Sequence, residues 1–202
     1  MTNPTVGVLA LQGDVREHRQ AFERCGVPTR EVRLPADFEG LHALAMPGGE
    51  STTMSRLLRV FGLEAPLRAR LDQGMACFAT CAGMILLSRR ILDGRPDQLA
   101  LGALDLDVRR NGWGRQVDSF ETELHVAGLG DAHNPFHAVF IRAPRVERTG
   151  DGVEVLASID GNPVVVAQGP HLALAFHPEM TPDDRLHRLF LDRLHLRMAS
   201  AA

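Results

Sequence analysis

Three short stretches hold residues whose types and spacing suit chemistry. In Phe78-Ala79-Thr80-Cys81-Ala82-Gly83 a cysteine ends an apolar run, with Ala79 two residues before it and Gly83 two after. This is the layout of a nucleophile elbow: a strand, a sharp turn and a helix, with small residues flanking a strained nucleophile. A helix start would add backbone N–H groups and a positive dipole end, both of which favour a thiolate. Taken alone, the segment reads more often as a buried packing cysteine than as an active site. In His177-Pro178-Glu179 an imidazole and a carboxylate stand two residues apart. The proline biases His177 toward extended backbone, where residues i and i+2 face the same way. The carboxylate could then fix the ring tautomer and stabilise an imidazolium. A surface histidine beside a helix-capping glutamate is an equal reading of this tripeptide alone. The third stretch is Pro47-Gly48-Gly49-Glu50-Ser51-Thr52-Thr53. Adjacent glycines allow close approach of backbone to a ligand, and Ser51 or the threonines suit a helix cap. A Gly48 or Gly49 N–H acting with that of Ala82 would make an oxyanion hole; a flexible turn with a cap is the plain alternative. The run lacks the Gly-Lys-Ser/Thr ending of a phosphate-binding loop.

These residues lie far apart in the chain: Cys81 precedes His177 by 96 positions, so only folding can bring them together. The periodicity supplies a scaffold. Val6–Leu11 is an apolar run closed by Gln12-Gly13-Asp14, which reads as a buried strand and turn. A helical pattern follows through Val15, Ala21 and Phe22 to a stop at Gly26. Further strands are expected over 29–34, 41–46 and 75–80, with helices over 51–61 and 81–90. The 51–61 helix would set Leu57, Leu58 and Phe61 on one stripe. Closely spaced strands are expected over 119–125, 139–141, 153–159, 163–168 and 172–176, then a covering helix over 183–196. Strands alternating with helices imply a parallel sheet covered on both faces, and the later strands imply an antiparallel part. The expected fold is therefore a three-layer α/β sandwich around a mixed, mostly parallel sheet. In such sheets chemistry collects at loops leaving the C-terminal strand ends, where all three stretches fall. A cysteine, a base with its orienter and a glycine pair there imply acyl transfer through a thioester, with an amine or ammonia leaving.

Composition narrows the partners. The 202 residues suit one domain spanning 1–202, with 45% apolar and 23% charged residues. A net charge of -3 points away from nucleic acid and anionic membranes, which usually demand a basic face. No basic-then-apolar leader opens the chain, and no apolar run reaches membrane-spanning length. Three cysteines without a secretion signal argue for reduced thiols in a cytoplasmic protein. Cys77 and Cys81 are the only close cysteine pair and the histidines lack ligand spacing, so no metal is expected. Cys25 and Cys77 read as core. His187 and His195, set among Arg185, Arg188 and Arg193, read as a solvated helix face or an oligomer contact.

Longer motifs carry a resemblance. Gly7-Val8-Leu9-Ala10-Leu11-Gln12-Gly13, Arg16-Glu17-His18, the PGGESTTM run from Pro47 to Met54 and Thr80-Cys81-Ala82-Gly83 belong to it. So do the GRQVDSFE run from Gly114 to Glu121, Phe140-Ile141-Arg142-Ala143-Pro144 and Phe176-His177-Pro178-Glu179. At these positions the chain resembles the class I (triad) glutamine amidotransferases, whose fold is flavodoxin-like. Among them it is most similar to the glutaminase-subunit family of pyridoxal 5'-phosphate synthase. The resemblance runs nearly end to end. It implies hydrolysis of L-glutamine to L-glutamate and ammonia without a cofactor, Cys81 matching the nucleophile and His177 and Glu179 the other triad members. Gly49, Glu50 and Ser51 match the glutamine-binding loop, and Arg110, Ile141 and Arg142 match further glutamine contacts. A guanidinium suits a carboxylate through its paired donors, although a surface salt bridge is the plainer reading of either arginine. The resemblance also implies a synthase subunit as ammonia acceptor, in a large hetero-oligomer whose docking arranges the oxyanion hole. Gln12-Gly13 would lie near that docking surface. Two positions depart from the family: Ala79, where glycine is usual, and Trp113, where tyrosine or phenylalanine is usual. A glutaminase serving another synthase, a noncatalytic module on the same fold and a cysteine peptidase are the rivals. The first usually carries glutamine soon after the nucleophile, where this chain has Met84 and Ile85.

Overall fold

A computed structural model of the chain describes residues 4–112, 119–130 and 133–200. Trp113 and residues 114–118 of the GRQVDSFE run lie outside the described residues. The strands are β1 (Val6–Leu9), β2 (Thr29–Val32), β3 (Ala43–Met46), β4 (Ala76–Thr80), β5 (Ser88–Ile91) and β6 (Leu104–Arg109). They continue with β7 (Ser119–Leu124), β8 (Phe136–Ile141), β9 (Arg145–Thr149), β10 (Glu154–Ile159), β11 (Asn162–Gln168) and β12 (His171–Leu174). The α-helices are α1 (Val15–Arg24), α2 (Ser51–Val60), α3 (Glu64–Asp72), α4 (Ala82–Leu87) and α5 (Arg185–Ser200).

The central sheet has seven strands in the order β10-β11-β12-β4-β3-β1-β2. Five of them, β12, β4, β3, β1 and β2, run parallel, and β11 is antiparallel to both of its neighbours. Every residue of β1, β3, β4 and β12 is buried, as strands covered on both faces must be. The chain steps from β1 outward to β2, then returns past β1 to β3 and β4. Right-handed crossovers in opposite directions place α1 on one face and α2–α3 on the other. The C-terminal helix α5 packs with α1 and against β4. Two smaller units accompany the main sheet: β5-β6-β9, and the antiparallel pair β7-β8.

The mixed, mostly parallel α/β sheet agrees with the sequence reading, and four details differ. Helix α4 stops at Leu87 instead of running to residue 90, because Ser88–Ile91 pairs with β6 as a strand. The α2 stripe is Met54, Ser55 and Leu58, with Phe61 exposed past the helix end. Strands β5, β6 and β9 and helix α3 were not expected. His187 is fully buried in the packing between α5, α1 and β4, not on a solvated face; His195 is exposed. Cys77 is fully buried and Cys25 partly so, packed against the core. Ala79 sits wholly buried in β4, in register with Met46 and Ala173.

Candidate active site

The direction of chain winding reverses between β1 and β3, and the loops leaving these strands meet at their C-terminal ends. Gly13 and Gly48 make the meeting possible. A Cβ on Gly13, whose φ is +89°, would lie 1.9 Å from the Gly48 carbonyl oxygen. One strand further along, β4 ends and the chain turns at Cys81 with φ 47° and ψ -104° into α4. This is the left-handed region that non-glycine residues rarely enter, at a cost of order 1–3 kcal/mol. The turn is secured by the Cys81 N–H donating to the Leu174 carbonyl of β12 at 2.8 Å. Gly83 seats α4 against β3, since a Cβ there would lie 2.2 Å from the Met46 carbonyl oxygen. Asn111 and Arg142 also hold positive φ, at 47° and 45°, and both line the same cavity as Cys81. Three of the four non-glycine residues at positive φ among the described residues thus line one cavity, and the fourth, Asp160, does not.

That cavity has a volume of about 630 Å³, and Gly49, Glu50, Ser51, Cys81, Arg110, Ile141, Arg142 and His177 all line it. Glu179 stands behind His177, its side chain wholly buried. The Cys81 Sγ lies 3.8 Å from the Ile141 carbonyl oxygen. His177 follows β12, and its N–H donates to the Val139 carbonyl of β8 at 2.9 Å. His177 Nδ1 is 2.8 Å from Glu179 Oε1 and 3.4 Å from Asp14 Oδ2. A carboxylate only accepts, so Nδ1 carries the proton and Nε2 is left to face a reactant. Burial works to lower the His177 pKa, but hydrogen bonds with Asp14, Cys81 and Glu179 outweigh it and raise the pKa. Burial opposes ionisation of Glu179, yet the neighbouring His18 and His177 hold its pKa below the carboxylate range.

Ala82 is the first residue of α4, so its N–H has no acceptor within the helix and is available to an oxyanion. Gly48 lies directly against the imidazole, and Gly49 has a φ of +139°. Capping of α2 differs from expectation: Glu50, not Ser51 or a threonine, is the cap. Its carboxylate accepts from Thr52 N–H at 3.0 Å and Thr53 N–H at 2.6 Å. Burial works against its charge, but these bonds and the Thr53 hydroxyl lower the Glu50 pKa to about 2. Ser51 is buried, and its Oγ accepts from Gln98 Nε2 at 2.7 Å. Arg110 Nη1 donates to Thr52 Oγ1 at 2.6 Å and Gln98 Oε1 at 2.9 Å, and is 3.8 Å from Glu50. The cavity lining therefore includes fixed cation and carboxylate groups, which suit a zwitterionic α-amino acid.

Sequence reasoning passed over Asp14, Gln98 and Asn111. Asp14 precedes α1 but makes no capping bond, its carboxylate turning to His177 instead. Asn111-Gly112 is a turn dipeptide, a signal that was present. Asp14, His177 and Glu179 offer ligand atoms within 4.8 Å of one another. A metal would need a bare Nδ1 there, whereas the two carboxylates favour its protonated form.

A strained cysteine, a buried histidine–carboxylate pair and backbone donors meet beyond the C-terminal ends of the parallel strands, an arrangement that suits cysteine-dependent acyl transfer. The comparisons give the family. Residues 8–196 match the SNO glutamine amidotransferase family. The chain is 57% identical over 192 residues to the pyridoxal 5'-phosphate synthase subunit PdxT of Frankia casuarinae, covering 95% of this chain and 96% of that one. It is 57% identical over 188 residues to the PdxT subunit of Thermus thermophilus, covering 93% and 96%. A solved glutamine amidotransferase superposes with a TM-score of 0.87 at 53% identity, covering 94% of this chain and 98% of that one. PurLQS from Thermotoga maritima shares the fold, with a TM-score of 0.70 at 15% identity over 96% and 100% of the chains. The chain belongs to the SNO glutamine amidotransferase family.

Proposed function

We propose that this chain hydrolyses L-glutamine to L-glutamate and ammonia, and passes the ammonia to a synthase subunit that makes pyridoxal 5'-phosphate. The observation that carries this reading is the convergence of Cys81 and the His177–Glu179 pair on one arginine-bearing cavity, in a chain similar end to end to PdxT subunits. Residues 1–202 act as one glutaminase domain, a reading supported by the continuous hydrophobic core. The Cys81 thiolate adds to the carboxamide carbon, and the carbonyl oxygen takes the negative charge. The Ala82 N–H and a Gly48 or Gly49 N–H stabilise that oxyanion. His177 protonates the nitrogen as the C–N bond breaks, releasing ammonia and leaving a thioester. Water, deprotonated by His177, then adds to the thioester; glutamate leaves and the thiolate returns. Glu179 holds the ring tautomer throughout. Gly49, Glu50, Ser51, Arg110, Ile141 and Arg142 bind the amino-acid end of the substrate.

The partner is a synthase subunit in a large hetero-oligomer, and coupling keeps the ammonia from protonation in solvent. Gln12 and Gly13 line the same cavity, which supports a docking edge there. A Gln12→Ala variant that keeps full partner-stimulated activity and affinity would count against that edge. A cytoplasmic location accords with three free cysteines, and among the described residues no helix is long and apolar enough to cross a membrane. The deciding experiment measures ammonia from glutamine with and without the cognate synthase subunit. Ammonia release that depends on Cys81 is expected; none from the wild-type pair, or unchanged release from Cys81→Ser, overturns the reading.

A further inference from the structure

Behind Glu179, away from the cavity, lies a buried polar series that the reaction scheme leaves unused. His18 of α1 and His187 of α5 are fully buried, with Phe22 and Phe78 packed against them. His18 Nε2 stands 3.4 Å from Glu179 Oε2 and 3.1 Å from Thr80 Oγ1. Its other nitrogen, Nδ1, stands 3.3 Å from His187 Nε2. Among the described residues neither Glu179 Oε2 nor His187 Nδ1 has a hydrogen-bond partner.

A carboxylate only accepts, so a His18 that favours its charge carries a proton on Nε2, the nitrogen that also stands 3.1 Å from Thr80 Oγ1. A neutral His18 then has a bare Nδ1, which requires Nε2–H on His187. That leaves His187 Nδ1 bare, and it is the nitrogen without a partner. Burial pushes the His187 pKa down to about 3, as a neutral ring requires. Glu179, whose side chain is 0% exposed, needs donors to keep its charge there. His177 supplies one at Oε1, and His18 Nε2 stands 3.4 Å from Oε2.

We propose that His18 is a positioning residue: held by His187 and Thr80, it sets the Nε2 edge of its ring against Glu179 Oε2, which favours the ionised carboxylate with Oε1 turned on His177. This rests on the Cys81–His177–Glu179 reading above. The titratable groups around the carboxylate are His18 on α1 and His177 on its own segment. Asp14 lies 3.4 Å from the same His177 Nδ1, and His187 and Arg24 act from the far side.

Two variants test it with the cognate synthase subunit present. His18→Phe keeps an aromatic ring and removes the donor, whereas His18→Gln offers an amide N–H near the place of Nε2. His18→Phe is expected to lower kcat about tenfold or more and leave KM within about twofold. It also moves the acid limb of kcat to higher pH, because Glu179 loses the group that favours its charged form. His18→Gln restores most of both. In the isolated chain, iodoacetamide labelling of Cys81, read by peptide mass spectrometry, slows in the Phe variant and recovers in the Gln variant. His187→Phe removes the N–H that sets the His18 tautomer and is the second variant should His18→Phe not fold; it shifts the acid limb in the same direction. An unmoved kcat, acid limb and labelling rate in His18→Phe overturns the inference and leaves the glutaminase reading standing. Equal losses in the Phe and Gln variants with an unmoved acid limb overturn it too, since packing alone then explains them. A wild-type pair that releases no ammonia overturns the glutaminase reading, and the labelling comparison still decides the role of His18.

Discussion

Replacing Gly48 by alanine tests the packing behind the base without removing any functional group. A Cβ at Gly48 would lie 2.3 Å from His177 Cε1, 3.0 Å from Nδ1 and 3.2 Å from Nε2. Carbon atoms rest about 3.5 Å apart or more, so something must give by about 1.2 Å. The loop cannot retreat, because its carbonyl oxygen already abuts Gly13 from the other side. The imidazole must therefore move, taking Nδ1 off the 2.8 Å contact with Glu179 and Nε2 off the thiol. A displacement on the order of 1 Å at a reacting group costs about 10²-fold in rate, which is roughly 2.7 kcal/mol of barrier. The φ of Gly48 lies outside the glycine-favouring region, so alanine strains no backbone, and its N–H remains available to an oxyanion. Partner-stimulated ammonia release should fall by that factor and Cys81 alkylation should slow. Overpacking should also lower stability by about 1–3 kcal/mol in urea melts. A variant within about threefold of wild-type kcat would refute the claim that Gly48 sets the position of the base.

Glu50→Gln should destabilise the fold by about 1 kcal/mol through the weakened α2 cap. The Glu50 pKa is lowered from 4.5 to about 2, so its charge contributes fully above 4.5 and is lost as pH falls toward 2. Urea melts of wild type and variant should therefore converge across that window; a constant gap would refute the cap. Iodoacetamide on the native chain should label Cys81 first and leave Cys77, whose fully buried thiol has its pKa pushed up by desolvation. Labelling of Cys77 before unfolding, read by peptide mass spectrometry, would contradict this packing.

Local signals were legible where sequence period and tertiary role agree. The β4–Cys81–α4 elbow, the Gly48-Gly49 turn and the His177-Pro178-Glu179 tripeptide stand where strand-end reasoning puts them, and they share one cavity or its wall. The β5-β6-β9 sheet escaped for two reasons. Ser88–Ile91 follows an apolar helix without a break, and Leu104-Asp105-Leu106-Asp107-Val108 alternates with period two but was passed over. The α2 stripe misled because two small serines, Ser51 and Ser55, occupy buried helix positions through hydrogen bonds. The His18–His187 contact joins residues 169 positions apart on helices rich in arginine, so periodicity favours a solvated face there. Only the third dimension shows that these two rings turn inward.

Strand β4 lies at the middle of the sheet, between β3 and β12. Its first neighbour is made just before it, and its second some ninety residues later. During synthesis the thiol of Cys81 thus emerges long before its base, on a strand with one edge still open. Until residues 171–174 insert and carry His177 into place, the nascent chain holds a cysteine with no imidazole beside it. Late closure of this strand pair makes enzymatic competence one of the last properties the polypeptide acquires.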